Sequence, residues 1–176
     1  MSKLESNFNF KVMTYMYKIR DFITPRIKVL EEVGIKPGSY VLDYGCGPGT
    51  YLIPLSDLTG KSGQIYAFDI HPMAIEMVKK TASAKDLMNV KTILSDCDTG
   101  LSENSLDVVL LYDVFHDLDN QSEVLRELHR ILKADGLLSF SDHHMKDKEI
   151  MSKMTNRNLF KLLKKGRKTY TFLKAG

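Results

Sequence analysis

Short apolar runs alternate along this chain with amphipathic ones, the pattern of strands interleaved with helices. Tyr40–Tyr44, Gln64–Asp69, Val90–Leu94, Leu106–Tyr112 and Leu137–Ser141 predict strands of a sheet covered on both faces. Helical spacing fills much of the rest. Thr24 before Pro25 is a helix start, Ile27, Leu30 and Val33 follow at three-residue spacing, and Gly34 is placed to end it. Thr50 to Leu58 also reads as helix, with Pro54 tolerable in a first turn whose N–H groups are unbonded anyway. His71-Pro72 opens another, with Ile75, Val78 and Ala82 facing inward. Between Asn120 and Leu132, a stripe of Val124, Leu125, Leu128, Ile131 and Leu132 follows what reads as a capping box of Asn120 and Glu123. Lys133 to Gly136 reads as a turn, Met145 to Met154 as a helix, and Leu159–Leu163 with Lys168–Leu173 as a hairpin around Gly166. The expectation is a doubly wound α/β domain with a mostly parallel seven-stranded sheet. Helices are expected between the first six strands, and a C-terminal β-hairpin reverses the last.

The chemistry concentrates in Val41-Leu42-Asp43-Tyr44-Gly45-Cys46-Gly47-Pro48-Gly49-Thr50. An apolar strand runs into a glycine-rich turn that opens a helix, and such a turn lets a ligand lie against bare peptide groups. Asp69 closes the second strand, where an acid accepts hydrogen bonds from ribose hydroxyls. A dinucleotide-dependent oxidoreductase shares those features. Its fingerprint, however, wants glycine or alanine where this chain has Thr50. Asp43 also suits a ligand with a positively charged amino group better than a pyrophosphate.

Taken together, VLDYGCGPG, FDI, SDCD, LLYDVFHDL and LKADGLLSFSD resemble the class I S-adenosylmethionine-dependent methyltransferases. Within them the chain looks like the small-molecule, ubiquinone/menaquinone-type group. The resemblance covers roughly residues 24 to 176 and implies a Rossmann-like fold with S-adenosylmethionine as methyl donor. It implies that Asp43, Gly45 and Gly47 line the methionine part, that Asp69 holds the ribose, and that Ile70 packs on the adenine. Asp96 accepts from the adenine amino group beside Cys97, and Tyr112 flanks the sulfonium. Lys-Ala-Asp-Gly stands where the family often has Lys-Pro-Gly-Gly.

Methyl transfer from a sulfonium needs positioning above all, and a base only when the acceptor sheds a proton. Asp113 and His116, past the fourth strand, are the candidates for catalysis, with His143 and His144 past the fifth. Asp117 or Asp119 offers His116 a merely structural partner. No metal is expected, because adjacent histidines on a strand face opposite ways and no third ligand stands at metal spacing. Cys46 reads as a small residue between glycines. The resemblance implies that the N-terminal segment, 1–23, is a lid over the acceptor pocket, with Tyr15, Tyr17 and Arg20 either facing that pocket or packing as ordinary helix residues. Catalytically silent S-adenosylmethionine binding is the alternative to transfer, and NAD-dependent oxidoreduction ranks below both.

The composition constrains partners. A net charge of +3 demands no anionic partner, and the lysines and Arg167 near the end read as a solvated hairpin, so no nucleic acid is expected. No apolar run is long enough to span a bilayer, and two cysteines with no signal-like N-terminus point to the cytoplasm. A small-molecule acceptor is the expected partner. The residues leave the oligomeric state open.

Overall fold

A computed structural model describes residues 26–175; the 1–23 segment and its Tyr15, Tyr17 and Arg20 lie outside them. In chain order the elements are α1 (Ile27–Glu31), β1 (Tyr40–Tyr44), α2 (Leu52–Thr59), β2 (Gln64–Asp69), α3 (Pro72–Ala84), β3 (Val90–Leu94) and β4 (Leu106–Tyr112). Then come a 3-10 turn (Phe115–Asp117), α4 (Gln121–Ile131), β5 (Leu132–Ser141), α5 (Asp147–Thr155), β6 (Phe160–Lys165) and β7 (Tyr170–Lys174). The seven strands form one sheet in the order β3-β2-β1-β4-β5-β7-β6. β3 through β5 pair in parallel, and β7 runs antiparallel to both neighbours. This is the expected Rossmann-like, doubly wound sheet with its reversed hairpin.

Side-chain alternation divides the strand residues between two cores. Val41, Val108, Leu110 and Tyr112 pack with Val29, Leu30, Leu52, Leu55 and Val78 on one face. Leu42, Tyr44, Val109 and Leu111 pack with Val124, Leu128, Ile131 and Phe172 on the other. The strand order reverses between β1 and β4, so the crevice past their carboxyl ends is where a ligand has room.

Four local expectations are corrected. No helix lies between β3 and β4 among the described residues. That connection is tied to α4 instead: Glu127 Oε1 accepts from Thr99 N at 3.1 Å, and Arg130 donates to Leu101 O at 2.8 Å. Lys133–Gly136 is not a turn ahead of a strand but an irregular stretch within β5. Leu106 pairs with Leu132 and Val108 already with Leu137, so the extra residues bulge. Asn120 makes no side-chain cap, and its Oδ1 is buried without a hydrogen-bond partner. Gln121 ties this entry instead, donating from Nε2 to Phe115 O at 2.9 Å. Finally, α1 stops at Glu31, with Val33 N reaching only Leu30 O and Gly34 left-handed.

By contrast, the His71-Pro72 start holds. His71 Nδ1 accepts from Met73 N at 3.2 Å and proline occupies the first turn of α3.

The first helix and the last hairpin meet through one carboxylate. Glu32 Oε2 accepts from Lys168 N and Thr169 N, each at 3.2 Å, and from Thr169 Oγ1 at 2.8 Å. Burial works to raise its pKa, yet these donors outweigh it and hold the carboxyl below its ordinary value. Glu32→Ala is expected to cost about 1–2 kcal/mol. Hydrogen exchange checks it: the amides of Lys168 and Thr169 lose protection before the rest of the sheet.

Candidate functional site

The site is built from the β1 end outward. Tyr44, last in β1, stacks on Phe68 of β2 with ring centroids 4.2 Å apart. The turn then folds back on that strand, with Gly45 N and Cys46 N both donating to Phe68 O at 2.8 and 2.9 Å. Such a reversal puts Gly45 at φ +78° and Gly47 at φ +51°, left-handed conformations that favour glycine. A Cβ on Gly45 would lie 2.8 Å from the Val114 side chain, so the loop rests against the chain leaving β4. At Gly47 a Cβ would meet nothing within 4 Å. The loop has no side chain there among the described residues, which leaves room for a ligand over its backbone.

Asp69 clamps this loop. Its Oδ2 accepts from Gly47 N and its Oδ1 from His71 N, both at 2.8 Å. Ile70 follows, half-buried, at the turn into α3.

Asp43 has no such partner: the residue is 4% exposed, and its carboxylate accepts no hydrogen bond from the described residues. Burial, and then repulsion from Asp69, push its pKa up to about 7. Burial raises Asp69 as well, against the amides of His71 and Gly47. Among the described residues no cation stands beside Asp43 to balance these two buried acids. A cationic ligand with an N–H donor would satisfy Asp43, and the aminoacyl sulfonium expected from the sequence has that chemistry.

The other residues expected on the donor side lie at the ends of the neighbouring strands. Tyr44 donates to Asp96 O at 3.4 Å, fixing the backbone past β3. Asp96 and Cys97 line a depression bounded by Glu123, Arg126 and Glu127. Burial raises the Cys97 thiol, and burial with Asp43 and Asp69 raises that of Cys46, which argues against either as a nucleophile. Tyr112 is buried at the end of β4, its hydroxyl 2.6 Å from Ser139 Oγ and its ring 5.1 Å from that of Tyr51.

Past β4 and β5 the four catalytic candidates come together around a fifth residue. Asp142 Oδ2 lies 2.9 Å from His116 Nδ1 and accepts from His116 N at 3.1 Å, while its Oδ1 accepts from His144 N at 3.1 Å. Asp113 Oδ1 lies 2.8 Å from His143 Nδ1 and accepts from His143 N at 3.2 Å. His143 and His144 sit in a turn, not on the strand, with ring centroids 3.9 Å apart, so the expectation of opposite-facing rings is overturned. His116 Nε2 also lies 3.2 Å from Asp117 Oδ2, its anticipated structural partner. The sequence reading missed Asp142. Its signal was available: an acid directly beyond an apolar strand and directly before two histidines.

Residues 35–176 match the family described as a methyltransferase domain. A demethylmenaquinone methyltransferase of Staphylococcus saprophyticus subsp. saprophyticus is 28% identical over 116 residues, 65% of this chain and 49% of that protein. One from Staphylococcus aureus (strain JH9) is 30% identical over 115 residues, 64% of this chain and 46% of that protein. The chain therefore spans about half the length of these curated relatives. Among solved structures, a SAM-dependent methyltransferase from Aquifex aeolicus superposes with TM-score 0.74 at 24% identity, covering 90% of this chain and 96% of that one. An arsenic(III) S-adenosylmethionine methyltransferase from Chlamydomonas reinhardtii gives 0.57 at 29% identity, covering 62% and 40%. No helix of the described residues is long and apolar enough to cross a membrane.

Proposed function

Because this chain belongs to the methyltransferase-domain family, among the class I proteins that use S-adenosylmethionine, we propose that it methylates a small-molecule acceptor held past β4 and β5. The donor supplies a methyl group already activated on a positively charged sulfur. The observation that carries the reading is Asp43, buried with no hydrogen-bond partner among the described residues, in the strand that leads into Gly47, where a Cβ would meet nothing within 4 Å. Asp43, Gly45 and Gly47 hold the aminoacyl end in this proposal. Asp69 keeps the loop shaped with the lone pairs its oxygens already use and offers the others to the ribose. Ile70, Asp96 and Cys97 border the adenine, and Tyr112 backs the sulfonium region from inside the sheet.

On the acceptor side His116 removes the proton where the acceptor must lose one, and Asp113 orders the loop opposite. Asp142 keeps the His116 ring oriented through Nδ1. The Asp117 side chain, 74% exposed, must swing away from Nε2 for that nitrogen to meet an acceptor. The loops 113–120 and 142–146 are short, which supports a small acceptor over a macromolecule.

Calorimetric titration tests the donor site: S-adenosylhomocysteine binds and NAD does not, and the reverse result ends this reading. Labelled S-adenosylmethionine incubated with a cell extract should then yield a product heavier by one methyl group, found by mass spectrometry. With that acceptor, His116→Ala is expected to lower kcat by about 100-fold. Affinity for S-adenosylhomocysteine should stay the same in that variant, since His116 lies on the acceptor side.

A further inference from the structure

We propose that Asp113, Asp142 and His143 form a binding site for one divalent first-row transition-metal cation, between the exits of β4 and β5. One ligand atom from each of the three lies within 4.8 Å of the others. They come from two loops that the sheet itself brings together, since Asp113 N donates to Ser141 O at 2.7 Å just past the paired strand ends. Asp113 then takes a left-handed backbone, φ +51°, and its Oδ1 faces His143.

The Asp113–His143 pair already has the spacing of two ligands of one cation, with an Asp142 oxygen within 4.8 Å of both. Two ligands on bonds of about 2.0–2.1 Å at right angles stand roughly 2.9 Å apart. His143 Nδ1 and Asp113 Oδ1 already stand 2.8 Å apart. A cation would take the place of the proton between them. The Asp142 side chain is fully buried and fixed by the amides of His116 and His144, so that ligand is ordered beforehand. His116 Nδ1 on the same carboxylate supplies the histidine–carboxylate support that surrounds protein-bound metals.

Donor chemistry selects the class of ion. Two carboxylate oxygens and one imidazole nitrogen suit zinc, manganese, iron(II) or cobalt, whereas calcium and magnesium prefer oxygens throughout. Three protein ligands leave positions for water or a substrate atom. Fold stability gives a weak reason for the same contacts: the His143 side chain is 66% exposed, and an exposed pair of this kind contributes little. That exposure also gives the ion a way in.

The test is titration of the metal-free, full-length protein with Co²⁺, read by visible absorption and by calorimetry. The expected result is one site per chain with a nitrogen/oxygen d–d spectrum and no thiolate charge-transfer band. His143→Ala should weaken binding by on the order of 100-fold, and His116→Ala by about 10-fold, the effect usual for a supporting residue. Asp113→Asn provides a second lesion of nearly unchanged shape and should also weaken binding. An unaltered affinity in His143→Ala and Asp113→Asn, a thiolate band from Cys46 or Cys97, or no saturable binding overturns the proposal. None of these readouts depends on methyl transfer, so they leave the donor-site reading untouched either way.

Discussion

Asp43→Asn is expected to make the ligand-free protein more stable at pH 8 while weakening its hold on S-adenosylhomocysteine. Asp43 has its pKa raised from 3.8 to about 7 in the folded chain. Between those values the native state holds a proton that the unfolded chain has released. Stability therefore falls as pH rises through this window and is lowest, for this group, above pH 7. Asparagine ionises in neither state, so the variant escapes that loss. The difference between the two proteins should be absent near pH 3 and reach on the order of 4 kcal/mol at pH 8, read from urea unfolding at both pH values. Binding moves the other way. A cationic amino group favours ionised Asp43, so wild-type affinity should climb towards neutral pH and then level. The variant should show a flat profile and a loss of about 10–100-fold. Equal affinity in the two proteins would remove Asp43 from the donor site.

Gly45→Ala is expected to be the most damaging single-methyl change in the loop. Two penalties meet at this position. An L-residue at φ +78° is disfavoured, and its Cβ would sit 2.8–3.0 Å from three carbons of Val114. Relief cannot come from the loop, because Gly45 N and Cys46 N are both tied to Phe68 O. A cost of about 2–4 kcal/mol follows, seen as a lowered Tm. Val114→Ala in the same chain removes two of the three close carbons, leaving its own Cβ at 2.9 Å and the backbone penalty. The double variant should therefore recover part of the loss and not all of it. Gly47→Ala separates the two causes from the other side: its Cβ has open space, so only the backbone penalty should register in stability.

The fold was legible from hydrophobic spacing wherever each element is decided by its own residues. The runs Tyr40–Tyr44 and Leu106–Tyr112 are strands because both of their faces are covered, and the stripe through Val124, Leu128 and Ile131 faces a core. The misses share a different cause. Whether Lys133–Gly136 is turn or strand depends on how β4 pairs beside it, with Leu106 opposite Leu132. Asn120 has the residue type of a cap, but Gln121 reaches Phe115 O and the backbone at Asn120 does not take a capping conformation. In the same way, the two acids that end up buried at the carboxyl ends of β1 and β2, Asp43 and Asp69, were readable from their spacing to the glycines. The Asp142–His116 contact crosses between loops 26 residues apart in sequence, and no local spacing encodes it.

The double grip of Asp69 on Gly47 and His71 has a kinetic consequence. A recess whose outline is held by the protein's own hydrogen bonds asks no folding step of an arriving molecule, so encounter should proceed at a pace set by diffusion and orientation. Donor analogues that differ in strength would then differ chiefly in how long they stay, and loosening that grip should appear first as slower arrival.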